Sequence, residues 1–141
     1  LGKALCLPAG IVLGDAYWID MIRQHPIYRS SSPPAPAFLQ AFLQGQDLYL
    51  RQRDLLTKKI HDITYHLQGI PSFFTSAGYP VVSFADSGWV QTLAERGVLV
   101  SSFPYPKPED PTVNRIVISA AHEDEDIRYL LACLDTLAAS R

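Results

Sequence analysis

Asn114-Arg115-Ile116-Val117-Ile118-Ser119 is a short apolar run led by a charged residue, and it reads as a strand. The fold follows by working outward from it. Upstream lies a loop with four prolines, residues 104–111, and before that a second strand at residues 98–103. A third strand occupies residues 79–84 with Pro80 at its start, and residues 71–75 form a short edge segment. Between these strands Asp86 or Ser87 caps a helix over residues 88–96, with Trp89, Val90 and Leu93 inward and Gly97 as its stop. Downstream, Glu123-Asp124-Glu125-Asp126 opens a last helix that reaches residue 138, because acids in a first turn oppose the helix macrodipole. Ile127, Leu130, Leu131, Leu134 and Leu137 form its apolar stripe, and Cys133 beside the stripe reads as core. Strands alternating with helices after Gly69 predict an α/β unit: a small sheet with helices on one face.

The first half is more helical. Residues 10–14, Gly10-Ile11-Val12-Leu13-Gly14, read as a short buried strand, and Asp15 is placed to cap a helix over residues 16–24 whose apolar face is Trp18, Ile19 and Ile22. His25-Pro26 ends that helix, since the residue before proline is pushed out of the helical region, and Ile27-Tyr28 is then extended. The loop Arg29-Ser30-Ser31-Ser32-Pro33-Pro34-Ala35-Pro36 offers hydroxyls to an anion or is a plain connector. Residues 35–68 read as one long helix bent at Gly45, of a length that bridges two bodies. His61 and His66 are five apart, a spacing that does not put a metal pair on one helix face, and no metal site is expected.

Composition narrows the function. The chain has 141 residues, 48% hydrophobic and 18% charged, enough for one ordinary core. A net charge of -2 and scattered basic residues argue against nucleic acid or an anionic membrane as partner, because phosphates need a basic face. No apolar run is long enough to cross a bilayer. Cys6 and Cys133 match neither a disulfide framework nor a metal knuckle, which fits a reducing, cytoplasmic setting. The sequence opens on Leu1 within a loop and strand, so the natural protein is expected to continue upstream.

Two residues carry chemistry. Lys3, in Leu1-Gly2-Lys3-Ala4-Leu5, has small and apolar neighbours and no other charge until Asp15. A lone lysine is usually a solvated surface group. An amine in apolar surroundings, however, loses ammonium stabilisation and can attack a carbonyl. Arg115 opens a strand after a stiff proline loop, where a guanidinium can clamp a carboxylate through paired hydrogen bonds; the bland alternative is a surface arginine. A carbonyl-capturing lysine with a carboxylate-binding arginine is what an enzyme acting on amino acids needs.

The order of these motifs resembles the C-terminal part of the α-oxoamine synthases, pyridoxal-phosphate enzymes of the fold-type I aminotransferase superfamily. The resemblance rests on the lysine motif, on residues 28–34 with their serines and double proline, and on Arg115-Ile116-Val117-Ile118-Ser119-Ala120-Ala121-His122 followed by Asp126-Ile127. It implies a division into the tail of a cofactor-binding large domain (1–33), an interdomain helix (34–68) and a small C-terminal α+β domain (69–141). It also implies a homodimer that condenses an amino acid with an acyl-CoA to an α-amino ketone. By the same resemblance, Lys3 matches the lysine that binds pyridoxal phosphate and later moves the substrate Cα proton. Arg115 matches the arginine that receives the amino-acid carboxylate, and Ser30 a hydroxyl that reaches the cofactor phosphate of the partner subunit. His122 matches a residue that orders the start of the last helix. The chain departs from the family pattern at Cys6-Leu7-Pro8-Ala9, where small residues are usual, at Phe103, where many members have arginine, and at Glu123, which replaces a hydroxyl cap. An aminotransferase on the same fold and a catalytically silent dimerisation or binding module are the alternative readings.

Overall fold

The computed structural model describes residues 1–3 and 5–140, which divide into two units, Leu1–Arg51 and Gln52–Arg141. In the first unit, α1 (Ala16–Gln24) forms where its apolar spacing predicts, with Asp15 at the cap position. The strand expected at residues 10–14 does not form. That run has no regular structure, and Ile11, Val12 and Leu13 are 60%, 60% and 83% exposed. A strand is held by its ladder, and none of the ladders among the described residues includes this run.

Two further expectations are corrected by local chemistry. Ile27-Tyr28 is not extended but lies inside a short helix, α2 (Pro26–Ser30). Pro26 occupies the first helical position, where its fixed φ is already helical and its missing N–H costs nothing, and His25 Nδ1 accepts from the Ile27 N–H at 3.3 Å. The single long helix is two helices, α3 (Pro36–Gln44) and α4 (Gln46–His66), separated at Gly45. The Tyr49 ring presses on that position. A Cβ on residue 45 would lie 2.9 Å from the Ala41 carbonyl oxygen and 3.1 Å from Tyr49 Cε2, so only glycine fits without a shift. The Tyr49 ring is in turn contacted by Phe42, their ring centroids 6.0 Å apart.

The second unit carries the sheet. β1 (Phe73–Phe74), β2 (Val81–Phe84), β3 (Ser101–Pro104) and β4 (Thr112–Val117) are antiparallel in the order β1-β2-β4-β3. β3 starts later than expected because the Val98 N–H is spent on the Leu93 carbonyl, 2.9 Å away, closing α5 (Gly88–Glu95). Gly97, at φ 78, makes that closure possible. At the other end of α5, Asp86 Oδ1 accepts from the Gly88 N–H at 2.9 Å. The final helix, α6 (Asp124–Ala139), begins where Asp126 Oδ2 accepts from the Glu123 N–H at 2.7 Å.

Period-two alternation sorts the sheet into a covered and an open face. Phe73, Val82, Phe84 and Ile116 turn to one side and pack with Ile63 of α4, Trp89 and Leu93 of α5, and Leu130, Leu134 and Leu137 of α6. Cys133 is part of that core, as its place beside the stripe predicts. The other face is left to Ser83, Ser101, Phe103 and Arg115, with Val117 54% exposed beside them. Helices therefore cover one face of a small sheet, as the alternation of elements after Gly69 implies. Among the described residues no helix is long and apolar enough to cross a membrane.

Candidate active site

Lys3 sits in a turn of the first unit. The Cys6 N–H donates to the Lys3 carbonyl at 3.2 Å, and Cys6 takes a positive φ of 51, which tightens the loop. Leu7 is buried next to it, whereas Lys3 and Cys6 are exposed. The apolar neighbours that Lys3 has in sequence therefore do not enclose its amine within this chain, which corrects the expectation of an apolar setting. Ala4, the fourth residue of the motif, lies outside the described residues.

Ser30 does not point its hydroxyl at an open space. Its Oγ donates to the Ile27 carbonyl at 3.1 Å, closing the last turn of α2, and Ser31 Oγ donates to the same oxygen at 2.6 Å. The groove nearby, about 630 Å³, is lined by Pro8, Ala9 and Gly10 on one side and by Tyr28, Arg29, Ser31, Ser32, Pro33 and Pro34 on the other. The loop that follows Lys3 and the serine-proline loop thus share a groove, but its polar walls are Arg29, Ser31 and Ser32. The sequence reading missed Arg29, although a basic residue directly before three hydroxyls was the available signal.

Arg115 lies in the second unit, in the middle of the open sheet face. Its Cα neighbours across the ladders are Ser83 on β2 and Ser101 on β3, so two small side chains flank it. Its Cζ lies 4.9 Å from the Phe103 ring centroid and 5.6 Å from that of Tyr105, within cation–π range. Its Nε is buried without a hydrogen-bond partner among the described residues. A buried, unmatched donor is costly, and it leaves the terminal nitrogens as the part of the group open to a ligand. Sequence reasoning treated Phe103 as a departure from a pattern and did not see it as a neighbour of Arg115. The signal was there in Phe103-Pro104-Tyr105-Pro106, whose alternation turns both rings to one side of the chain.

Beneath Arg115 the strand turns into α6 through a small polar network. His122 Nδ1 accepts from the Ser119 N–H at 3.2 Å, the contact needed to order that turn. Lys59, buried in α4, donates from Nζ to the Ala120 carbonyl at 3.1 Å and holds the same turn from the helix side. His66 pairs with Asp135 at 2.8 Å, joining α4 to α6.

The α/β arrangement has a counterpart among solved structures. It is shared with serine palmitoyltransferase of Sphingomonas wittichii at a TM-score of 0.64 and 18% identity, over 91% of this chain and 35% of that one. No family model matches the chain. In sequence it is similar to 8-amino-7-oxononanoate synthase of Nitrosomonas eutropha, 30% identical over 149 residues that cover 98% of this chain. It is also similar to the enzyme of the same name from Petrotoga mobilis, 28% identical over 156 residues and 99% of the chain. The chain spans 38% of the length of each of these relatives. The resemblance to the α-oxoamine synthases thus extends along nearly all of the sequence.

Proposed function

We propose that the chain is the C-terminal portion of a pyridoxal-phosphate-dependent acyltransferase that condenses an amino acid with an acyl-CoA to an α-amino ketone, as an 8-amino-7-oxononanoate synthase does. The observation that carries this reading is Arg115: a guanidinium on an open sheet face, flanked by serines and set against two aromatic rings. The similarity to two synthases along the whole chain supports it. So does the shared fold.

The residues present fit the cofactor by their chemistry. Lys3 is an exposed primary amine, the group that holds an aldehyde, and Arg29 with the Ser31 and Ser32 hydroxyls offers donors suited to a phosphate. Ser30 joins them only if its hydroxyl gives up the Ile27 carbonyl. Bound pyridoxal phosphate would supply an electron sink that acidifies the Cα–H of the amino acid. Lys3 would hold the cofactor, yield to the amino acid and then take the Cα proton on Nζ. Arg115 would receive the carboxylate and orient that Cα for attack on the acyl-CoA carbonyl, a positioning effect.

The same reading makes residues 1–33 the tail of a large cofactor-binding domain, residues 34–68 an interdomain helix and residues 69–141 a small C-terminal domain. It makes the enzyme a cytoplasmic homodimer. The apolar surface of the first unit, with Ile11, Val12, Leu13, Tyr17 and Trp18 all exposed, supports burial against more protein.

The test is chemical trapping. The full-length gene product is incubated with pyridoxal phosphate and reduced with borohydride, and a pyridoxyl mass is expected on the Lys3 peptide and absent from Lys3→Ala. Release of free thiol from an acyl-CoA in the presence of glycine or alanine is the matching activity. An unlabelled Lys3 sinks the reading.

A further inference from the structure

We propose that Phe103 and Tyr105 are positioning residues for the amino-acid substrate: they fix the plane of the Arg115 guanidinium so that only its terminal Nη1/Nη2 edge meets a carboxylate. This rests on the reading of Arg115 as the carboxylate-binding residue. Both rings stand within reach of Arg115 Cζ, at 4.9 and 5.6 Å from their centroids. They also contact each other edge to face, 6.5 Å apart at 81°. A guanidinium can lie flat on one ring only. The second, nearly perpendicular ring therefore makes a corner, which resists rotation of the group in a way a single ring does not.

Burial then selects the edge. A guanidinium can receive a carboxylate side-on, through Nε and one Nη, or end-on, through the two Nη groups. Arg115 Nε is buried, so the side-on approach is closed and the end-on approach remains. Space for the ligand comes from the register, which sets Ser83 and Ser101 directly beside Arg115. Stiffness comes from the loop. Ser101, Phe103 and Tyr105 alternate along β3 and its extension, and Pro104 and Pro106 restrict the backbone between and beyond the rings. Pro104 is tolerated in β3 because that strand is at the sheet edge. A preorganised guanidinium loses less freedom on binding, so the shelf acts on affinity for the amino acid and not on the proton transfer.

The experiment uses the full-length gene product carrying Phe103→Leu and Tyr105→Leu together, which keep apolar bulk and remove the π faces, and Phe103→Tyr alone, which keeps both. The double variant is expected to raise KM for alanine about three- to tenfold, the size of a partly exposed cation–π contribution. Its kcat is expected to change by less than about twofold, the signature of lost binding common to ground and transition states. Peptide mapping after phenylglyoxal treatment should show Arg115 modified faster in the double variant, and slowed by alanine in the wild type. Phe103→Tyr should leave KM and labelling near the wild-type values. Unchanged KM and labelling overturn the inference, as does a fall in kcat with KM unmoved, or a Phe103→Tyr protein as impaired as the double variant. Failure of Lys3 to take the pyridoxyl group overturns the functional reading alone, because Arg115 labelling, with and without alanine, still decides whether the rings hold the guanidinium.

Discussion

Asn114 is the polar residue on which the covered face of the sheet closes. It is 2% exposed, accepts from Ser102 Oγ at 2.8 Å, and donates from Nδ2 to the Phe84 carbonyl and to Ser87 Oγ, both at 3.3 Å. Three segments, β2, β3 and the start of α5, are thus tied to one side chain. Asn114→Ala leaves the Phe84 carbonyl short of a donor and the Ser102 hydroxyl short of an acceptor, and is expected to cost about 1–3 kcal/mol. A lower urea midpoint at unchanged slope would report it; an unchanged midpoint would show that water takes over all three bonds. Arg115, the next residue, faces the other way and leaves this network alone. Its strand was legible in sequence, but its place there was not: β4 begins at Thr112, so Arg115 lies within the strand and does not open it. The setting of Lys3 was not legible, since apolar neighbours along a chain do not guarantee apolar neighbours in space. Asn114 itself gave no signal beyond its place in the alternation.

At the scale of elements, glycine decides two boundaries by different physics. Gly45 is required because a side chain would strike the Ala41 carbonyl and the Tyr49 ring, whereas at Gly97 the space is open and the constraint is φ 78. Gly97→Ala is therefore expected to destabilise the fold through backbone strain alone, by about 1–2 kcal/mol. Gly97→Asn should recover part of this, and thermal unfolding of the two variants compares them directly. Equal melting temperatures for Ala, Asn and the parent would exclude a strained C-terminal stop. Helix α5, its stop, the stripe on α6 and the four strands were readable because each is specified by residues within or next to it. The split of α3 from α4 was readable only as a bend at Gly45, since how far a glycine interrupts a helix depends on the side chains that crowd it, here Tyr49. The run at residues 11–13 failed for a related reason: its composition is that of a strand, but pairing is a property of a neighbour.

At the scale of the molecule, the burial is uneven. The contiguous apolar core lies in Gln52–Arg141, while in Leu1–Arg51 residues such as Leu13, Tyr17 and Trp18 remain exposed. The two cysteines fall on opposite sides of this divide: Cys6 is exposed and Cys133 is 3% exposed in the core. Thiol reactivity requires access, so a disulfide reagent should titrate Cys6 at once in the native 141-residue chain and Cys133 only after denaturant is added. Immediate reaction of both would mean that the core of α6 opens freely. Because Cys6 donates its backbone N–H to the Lys3 carbonyl, a maleimide dye under native conditions attaches within the same turn as that amine. The sequence thus carries its own optical handle, and quenching of a dye there would follow, in real time, the arrival of an aldehyde at Lys3.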